Sequence, residues 1–312
     1  MAKRFFLILP ILLLLVVPAK SQQDPLFSSY WAMEPSFNPA TAGKEPQLNI
    51  LAAYSMTMAG FENNPKTLYA SADMPFNFMH AYHGVGVQFM NDQIGLFSHK
   101  RFGVQYAYKH KLFGGTISAG VQISMINEAF DGSKIEVDDP EDPALPKSSV
   151  NGSGFDISAG LYYSHKNWYV GLSALHINAP KIELGETNEY QMSGSYYLTA
   201  GYNIKLRNPF FTILPSVIGR YDGVAYRVDV TARVKYEKEK KMLYAGVSYS
   251  PTNSVTFLIG GKFRGVTIGY SYEMYTSAIS IGNGSHGIYA SYQMDLNLQK
   301  KGRNLHKSVR LL

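Results

Sequence analysis

Apolar and polar side chains alternate strictly between Tyr226 and Tyr236. One set is Tyr226, Val228, Val230, Ala232, Val234 and Tyr236, and the other is Arg227, Asp229, Thr231, Arg233 and Lys235. Successive side chains of a β-strand point to opposite faces, so this strand has one apolar face and one charged face. A dry core between two sheets does not accept four charged side chains in a row. The pattern therefore predicts a strand with an apolar environment on one side and a hydrated interior on the other.

The same alternation recurs along the chain and predicts about fourteen strands. Many of the segments are about 9–11 residues long, the length that a tilted strand needs to cross the hydrocarbon of a membrane. Aromatic residues tend to lie near their ends, as in the aromatic girdles of membrane barrels. The predicted strands lie near 48–58, 66–75, 83–90, 101–110, 115–126, 154–165, 167–178, 195–206, 210–220, 225–236, 242–250, 254–263, 265–275 and 286–298.

The composition excludes several other classes of protein. The chain has no cysteine, which excludes disulfides, cysteine-ligated metal sites and thiol catalysis. Charged residues make up only 17%, whereas 23 tyrosines, 17 phenylalanines and 28 glycines are present. Disordered chains have few aromatic residues, and helix bundles do not tolerate this much glycine.

The first 21 residues resemble a secretory signal peptide. Lys3 and Arg4 precede an apolar run from Phe5 to Val17, and small residues flank a cleavage site before Gln22. The alternative is an uncleaved anchor, although the run is short for a membrane span. Loss of Lys3, Arg4 and Lys20 lowers the formal net charge from +6 to +3, so nucleic acid is not an expected partner.

These observations predict an all-β protein, a transmembrane antiparallel up-and-down β-barrel. The expected domains are a signal peptide (1–21), an irregular N-terminal segment (22–47), an outer-membrane barrel (48–298) and a basic periplasmic tail (299–312). An even number of strands is typical of single-chain bacterial barrels. The alternative is a soluble β-protein in an extracytoplasmic space, because no later apolar stretch is long enough for a transmembrane helix.

The connections between strands predict the orientation. The longest, 127–153 and 179–194, fall at one end of the predicted barrel, which we expect to be extracellular, and most connections at the other end are short. The connection 76–82 is the expected exception among the short ones. Both termini are then periplasmic, at an end rich in basic residues. We expect this end to dock a periplasmic partner or the cell wall through Lys238, Lys240, Lys241, Lys300, Lys301 and Arg303.

The N-terminal segment contains Tyr30, Trp31 and Phe37 among four prolines. Prolines disfavour regular structure, yet so many aromatic rings need a surface to bury against. We expect the segment to lie across the periplasmic mouth or inside the lumen, with these three rings packed on the barrel or on a partner. The alternative is a free tail.

The sequence predicts no catalytic site, metal site or cofactor. His80 and His83 are three residues apart in a turn, and Ser285-His286 lacks an evident carboxylate partner for hydrolysis. The acidic stretch 138–142 could bind Ca²⁺ but is more simply an exposed loop. The lumen charges Arg227, Asp229, Arg233 and Lys235 fit either a docking barrel or a diffusion channel.

Two motifs near the start carry a family resemblance. Residues 22–31 read Gln-Gln-Asp-Pro-Leu-Phe-Ser-Ser-Tyr-Trp, and residues 36–43 read Ser-Phe-Asn-Pro-Ala-Thr-Ala-Gly. Shorter pieces follow in order, including Pro65-Lys66-Thr67, Gly84-Val85-Gly86-Val87 and Gly269-Tyr270-Ser271-Tyr272. Together these motifs resemble the PorP/SprF family of Bacteroidetes outer-membrane proteins over essentially all of 22–298.

The resemblance implies a non-enzymatic barrel of the type IX secretion system, with a link to gliding motility. It implies association with the periplasmic PorK/PorN ring and its lipoproteins, and for some members with secreted substrates that carry a type B C-terminal domain. A diffusion channel for small solutes is the main alternative function, and an outer-membrane enzyme is a third.

Overall fold

A computed structural model describes residues 24–79, 81–134, 149–185, 188–239, 241–251, 253–276 and 282–295. The predicted signal peptide (1–21) and basic tail (299–312) lie outside these residues. The described chain forms β1 (Gln47–Met56), β2 (Lys66–Phe78), β3 (Ala81–Ile94), β4 (Phe97–Leu112), β5 (Gly115–Asp131), β6 (Ser149–His165), β7 (Trp168–Leu175), β8 (Lys181–Leu184), β9 (Asn188–Gln191), β10 (Ser195–Tyr202), β11 (Ile204–Lys205), β12 (Phe211–Tyr221), β13 (Tyr226–Lys238), β14 (Lys241–Ser250), β15 (Ser254–Phe263), β16 (Val266–Tyr275) and β17 (Ser285–Asp295).

The strands close into an antiparallel barrel. Neighbours in sequence pair with each other, β1 pairs with β17, and β10 pairs with both β7 and β12. Strands β8 and β9 form a separate hairpin, and the two-residue β11 continues β10 beyond Asn203. The wall therefore has fourteen strands, which confirms the predicted fold and strand number.

Short turns join the strands at the end where β1 begins and β17 ends, which we call the lower end; the opposite end is the upper end. Five of its six turns have two residues, whereas 203–210 is longer. The turns Phe113-Gly114 and Arg264-Gly265 have positive φ at both residues, as tight hairpins require. The two longest connections, from β5 to β6 and from β7 to β10, join strands at their upper ends, so the long and the short connections separate as predicted.

The connection 76–82 is also short, contrary to the expectation that it would be an exception. Strands β2 and β3 stay paired as far as Phe78 and Ala81. The predicted strand 66–75 ended three residues before β2 does, at Pro75. However, the pairing of β2 with β1 stops at Asp73, so the missing N–H of Pro75 interrupts no bond with β1.

The outer wall is apolar and the inner wall is polar. Outward side chains such as Ile123 and Leu172 remain more than half exposed (54% and 53%), and together they form a continuous apolar band. A band of this size is unfavourable in water and is suited to lipid. Inward side chains include buried Gln88, Gln105 and Gln122. The described residues contain no helical segment that could serve as a transmembrane span.

Candidate functional site

The N-terminal segment, residues 24–46, lies inside the barrel. It is irregular, as predicted, with three single 3₁₀ turns at Tyr30–Ala32, Glu34–Ser36 and Pro39–Thr41. Its first described residue, Asp24, contacts His176 and Arg220 at the upper end, and the segment then descends to the start of β1 at the lower end. The described part of the chain therefore starts at Asp24 near the upper end and finishes at Asp295 at the lower end. This differs from the expectation that both termini lie at one end, because the N-terminal segment runs through the lumen.

The three aromatic residues that the sequence singled out pack on the inner wall. Tyr30 and Phe37 are 2% and 3% exposed, and Trp31 is partly buried. The Tyr30 hydroxyl lies 2.7 Å from Ser216 Oγ, and the Phe37 ring stacks on Tyr197 with centroids 5.5 Å apart. Of the two environments expected for these rings, barrel or partner, they occupy the barrel. That these three aromatic residues also dock a partner stays a prediction.

The backbone of the Asn-Pro-Ala-x-Ala-Gly motif packs directly against the wall. The Asn38 side chain accepts a hydrogen bond from Ala40 N–H, which caps the third 3₁₀ turn, and donates to the carbonyls of Leu161 and Leu172. Inward glycines face this motif. A Cβ at Gly120 would collide with the backbone of Pro39 and Ala40. The motif and the wall glycines thus allow two backbones to approach where no side chain fits.

Polar side chains of the wall satisfy the irregular backbone of the segment. Gln105 donates to the Pro35 carbonyl at 2.6 Å, Ser118 to the Ala40 carbonyl at 2.7 Å, and Asp73 accepts from Gly43 N–H at 2.8 Å. The alternation suggested that the inward polar row would meet water. Many of these inward side chains bind the backbone of the N-terminal segment instead, because buried backbone groups outside a helix or sheet need hydrogen-bond partners.

Taken together, hydrogen bonds and ring contacts connect the segment to ten of the fourteen wall strands. They reach β2, β4, β5, β6, β7, β10, β12, β13, β14 and β16. These strands surround the barrel axis. The segment therefore fills the middle of the lumen and does not line one side of it.

A buried histidine holds the start of the segment. His176 lies between Asp156 of β6 and Asp24, with its Nδ1 3.0 Å from Asp156 Oδ1 and its Nε2 3.1 Å from Asp24 Oδ1. Burial alone would lower the pKa of His176, but the two carboxylates raise it to about 9. Burial has the opposite effect on a carboxyl group and would raise the pKa of Asp24, but the neighbouring His176 lowers this pKa below its usual range. Both groups are thus charged at neutral pH. The sequence offered no sign of this bridge, which joins residues 152 positions apart.

The β8–β9 hairpin lies over the upper end. Ile182 and Leu184 are buried against Ile126 of β5, and partly buried Val150 and Tyr190 complete this small cluster. A Cβ at Gly152 of β6 would collide with the Glu183 carbonyl, so the hairpin backbone is close to the wall.

A cavity of about 430 Å³ lies at the lower end of the lumen. Trp31 and Glu34 of the N-terminal segment face it, together with inward side chains of β13, β14, β15 and β17. Of the four lumen charges, Arg233 and Lys235 line this cavity. Arg227 and Asp229 lie nearer the upper end, where Arg227 pairs with Asp229 at 2.9 Å and with Glu273 at 2.7 Å.

The lower rim is rich in basic residues. Lys238 and Lys241 face each other across the β13–β14 turn and are both exposed. Lys240, Lys300, Lys301 and Arg303 of the predicted docking set lie outside the described residues. Other basic residues at this end are Lys109, Lys111, Lys166, Lys205, Arg207, Lys262 and Arg264, beside the acidic residues Glu45, Glu237, Glu239 and Asp295.

The residues considered for catalysis or metal binding have structural partners. His83 Nδ1 lies 2.7 Å from the Tyr106 hydroxyl and the His83 ring stacks on Phe76, whereas His80 and 138–142 lie outside the described residues. His286 bonds to Tyr270, and Ser285 to Tyr275. Within the described residues, no group of three potential metal-ligating His, Cys, Asp or Glu side chains occurs.

Residues 19–292 match the family described as "Type IX secretion system membrane protein PorP/SprF". The chain belongs to the PorP/SprF family. Family membership, with the closed barrel and its apolar outer band, indicates an outer-membrane component of type IX secretion. No curated protein has a sequence that matches this chain.

Several solved barrels resemble the fold at low sequence identity. One is a Pseudomonas aeruginosa FadL homologue, at 12% identity and a TM-score of 0.47, with 82% of this chain and 92% of that chain covered. Another is a mutant of the TodX monoaromatic hydrocarbon channel, at 11% identity and a TM-score of 0.45, covering 82% and 91%. The KdgM porin gives 10% identity and a TM-score of 0.35, covering 78% and 98%.

Proposed function

We propose that this PorP/SprF protein is a non-conducting, non-enzymatic outer-membrane barrel that docks type IX secretion machinery or its substrates. The observation that carries the proposal is the filled lumen. A diffusion channel needs a continuous water path, and the N-terminal segment contacts the wall on ten strands around the axis. Docking needs only a rigid wall and specific surfaces at its two ends.

The lower rim is the surface that we assign to periplasmic partners. Short turns are typical of the periplasmic ends of bacterial barrels, and the sign of the charge at this rim suits a partner with an acidic surface. The PorK/PorN ring and its associated lipoproteins are the partners that the family suggests. Under this orientation the long upper connections face the cell exterior, where a substrate with a type B C-terminal domain would bind.

Reversal of the rim charge tests this assignment. The double variant Lys238→Glu, Lys241→Glu places two acidic residues on an exposed turn, so the fold should be unaffected. Recovery of periplasmic partners after purification in mild detergent should fall several-fold, because rim charges act mainly on the rate of association. Quantitative mass spectrometry of the co-purified proteins measures this.

The matched control is Lys181→Glu, since Lys181 is also exposed but lies on the upper hairpin, where it pairs with Glu189. Partner recovery should be unchanged in this variant. Equal recovery with the rim variant and the unmodified protein would exclude the lower rim as the docking surface.

A further inference from the structure

Within the part of the chain that the structure describes, Arg233 is an inward arginine without an ion-pair partner. It lies on β13, and its guanidinium carbon is 3.8 Å from the centre of the Trp31 ring. Its Nε is buried and makes no hydrogen bond, and among the described residues no carboxylate pairs with its guanidinium. A charged group taken out of water normally has such a partner, so Arg233 retains an unused capacity to bind an anion.

The other cations around the lower cavity differ from Arg233. Lys44 is 2.5 Å from Glu34, Lys235 is 2.8 Å from Glu237, and Lys262 donates to Gln293 at 2.6 Å. Arg233 thus stands out among the cations that line the same 430 Å³ cavity.

The surroundings fix the position of the Arg233 side chain. The guanidinium carbon lies over the Trp31 ring, and opposite Arg233 on β14 is Gly246, where a Cβ would come within 2.6 Å of Arg233 Cγ. The aromatic face and the close backbone of Gly246 together restrict the movement of the Arg233 side chain. An arginine held in this way loses little freedom when it binds a carboxylate with two parallel hydrogen bonds.

We infer that the lower cavity binds a carboxylate of an acidic peptide segment, with Arg233 as the anion-binding residue. This inference rests on the proposed docking function, because the peptide would belong to a periplasmic partner. Apolar and aromatic side chains beside Arg233 suit the residues that flank the carboxylate, namely Trp31, Leu214, Met242, Tyr244 and Tyr289.

The charge of the cavity favours a single carboxylate over phosphate. Four acidic residues also line the cavity: Glu34, Glu45, Asp73 and Glu237. They repel a multiply charged phosphate more strongly than a singly charged carboxylate. The cavity is enclosed by the wall, away from the lipid, so a lipid headgroup is a poor occupant.

The chain offers a natural reporter for this site. It contains two tryptophans, and Trp168 lies on the outer face of the wall. The variant Trp168→Phe leaves Trp31, which touches Arg233, as the single tryptophan. The probe is acetyl-Leu-Glu-Leu-amide, with acetyl-Leu-Gln-Leu-amide as the uncharged match and inorganic phosphate as the competing anion. Anisotropy of a fluorescein-labelled form of each peptide gives the affinity independently of Trp31.

The glutamate peptide should bind with a saturable change in Trp31 emission, and the glutamine peptide should bind at least about tenfold more weakly, because a hydrogen bond to a charged group is lost. Arg233→Gln should weaken the glutamate peptide by at least about tenfold. Lys166→Gln removes an exposed cation of a lower turn that does not line the cavity, and should change the affinity less than about threefold.

Heat-dependent gel mobility shows whether each variant is folded. If Arg233→Gln does not fold, Arg233→Lys takes its place: it keeps the charge but loses the planar two-pronged contact, and should also weaken the peptide. Equal binding of both peptides, unchanged affinity without Arg233, or tighter binding of phosphate would overturn the inference. Any of these results, combined with a charge-sensitive rim in the pull-down, leaves the docking function standing. If the peptide binds as expected but partner recovery does not depend on the rim charge, only the proposed docking at the rim is excluded.

Discussion

A methyl group added at Gly120 should weaken the attachment of the N-terminal segment to the wall. The Cβ of Gly120→Ala would meet the Pro39 carbonyl carbon and the Ala40 N and Cα atoms. These are backbone atoms, which cannot rotate away as the end of a long side chain can. To relieve the collision, the third 3₁₀ turn must move off β5, which puts at risk the hydrogen bond from Ser118 to the Ala40 carbonyl.

The expected cost follows from the balance of two effects. Alanine reduces the freedom of the unfolded chain relative to glycine and so stabilises a compatible strand position by about 0.4–1 kcal/mol. Overpacking of a tightly packed site costs about 1–3 kcal/mol, and the loss of a buried hydrogen bond about 1 kcal/mol more. The collision outweighs the entropic gain, so we expect Gly120→Ala to lower the free energy of unfolding by about 1–3 kcal/mol.

The matched control is Gly219→Ala. Gly219 is also a glycine within a wall strand, but its added Cβ would lie 3.9 Å from Val228 Cγ2, an ordinary contact. This variant should be neutral or slightly stabilised. Urea unfolding in detergent micelles measures both variants, and limited proteolysis of the folded proteins shows whether residues 24–46 have become accessible.

Equal unfolding midpoints for the two alanine variants, with residues 24–46 equally protected, would refute the argument that the motif and the wall glycine are packed backbone to backbone. If Gly120→Ala is destabilised but residues 24–46 remain fully protected from the protease, only the predicted displacement of the segment is refuted. In that case the wall would absorb the methyl group by a local shift of β5.

Two further predictions concern the histidine that holds the start of the N-terminal segment and the lumen that the segment fills. Because the pKa of His176 is raised to about 9 from its usual 6.5, its contribution to stability is complete below pH 6.5 and lost as the pH rises through 9. His176→Gln should therefore make the decline of the urea midpoint over this range shallower than in the unmodified protein, whereas substitution of the exposed His110 should leave the decline unchanged. The purified full-length protein should show no steady conductance in a planar bilayer, since the N-terminal segment occupies the lumen; a stable open pore would contradict the docking proposal and favour a channel.

The wall could be predicted from the sequence because two solvents act on it. Lipid on one side and a polar interior on the other impose a period of two on every strand, and each of the fourteen predicted segments overlaps a strand of the barrel. The lengths were less predictable. Strands β5 and β6 have 17 residues each, because at the upper end they pair with each other beyond the apolar band.

The contents of the lumen were predictable only in outline. Prolines and aromatic rings indicated that residues 22–47 are irregular and need burial, but no local pattern specifies which wall residues receive them. Gln105 and the Pro35 carbonyl are 70 positions apart, and the β8–β9 hairpin is held by Ile182 against Ile126. Such contacts depend on closure of the barrel, which a single sequence does not specify.

The inward row also illustrates why polarity is ambiguous in a sequence. Gln88, Gln105 and Gln122 have the side chains expected of a water-filled channel, yet Gln122 accepts hydrogen bonds from both Gln88 and Gln105, at 2.6 and 2.7 Å. Water and an irregular peptide segment make the same demand on a wall, namely a supply of donors and acceptors. A barrel whose lumen is filled by its own proline-rich N-terminal segment therefore has the same inward-facing polar residues as an open pore. The discriminating signal lies outside the strands, in small and aromatic residues such as Ala40 and Phe37, whose side chains are buried against that wall.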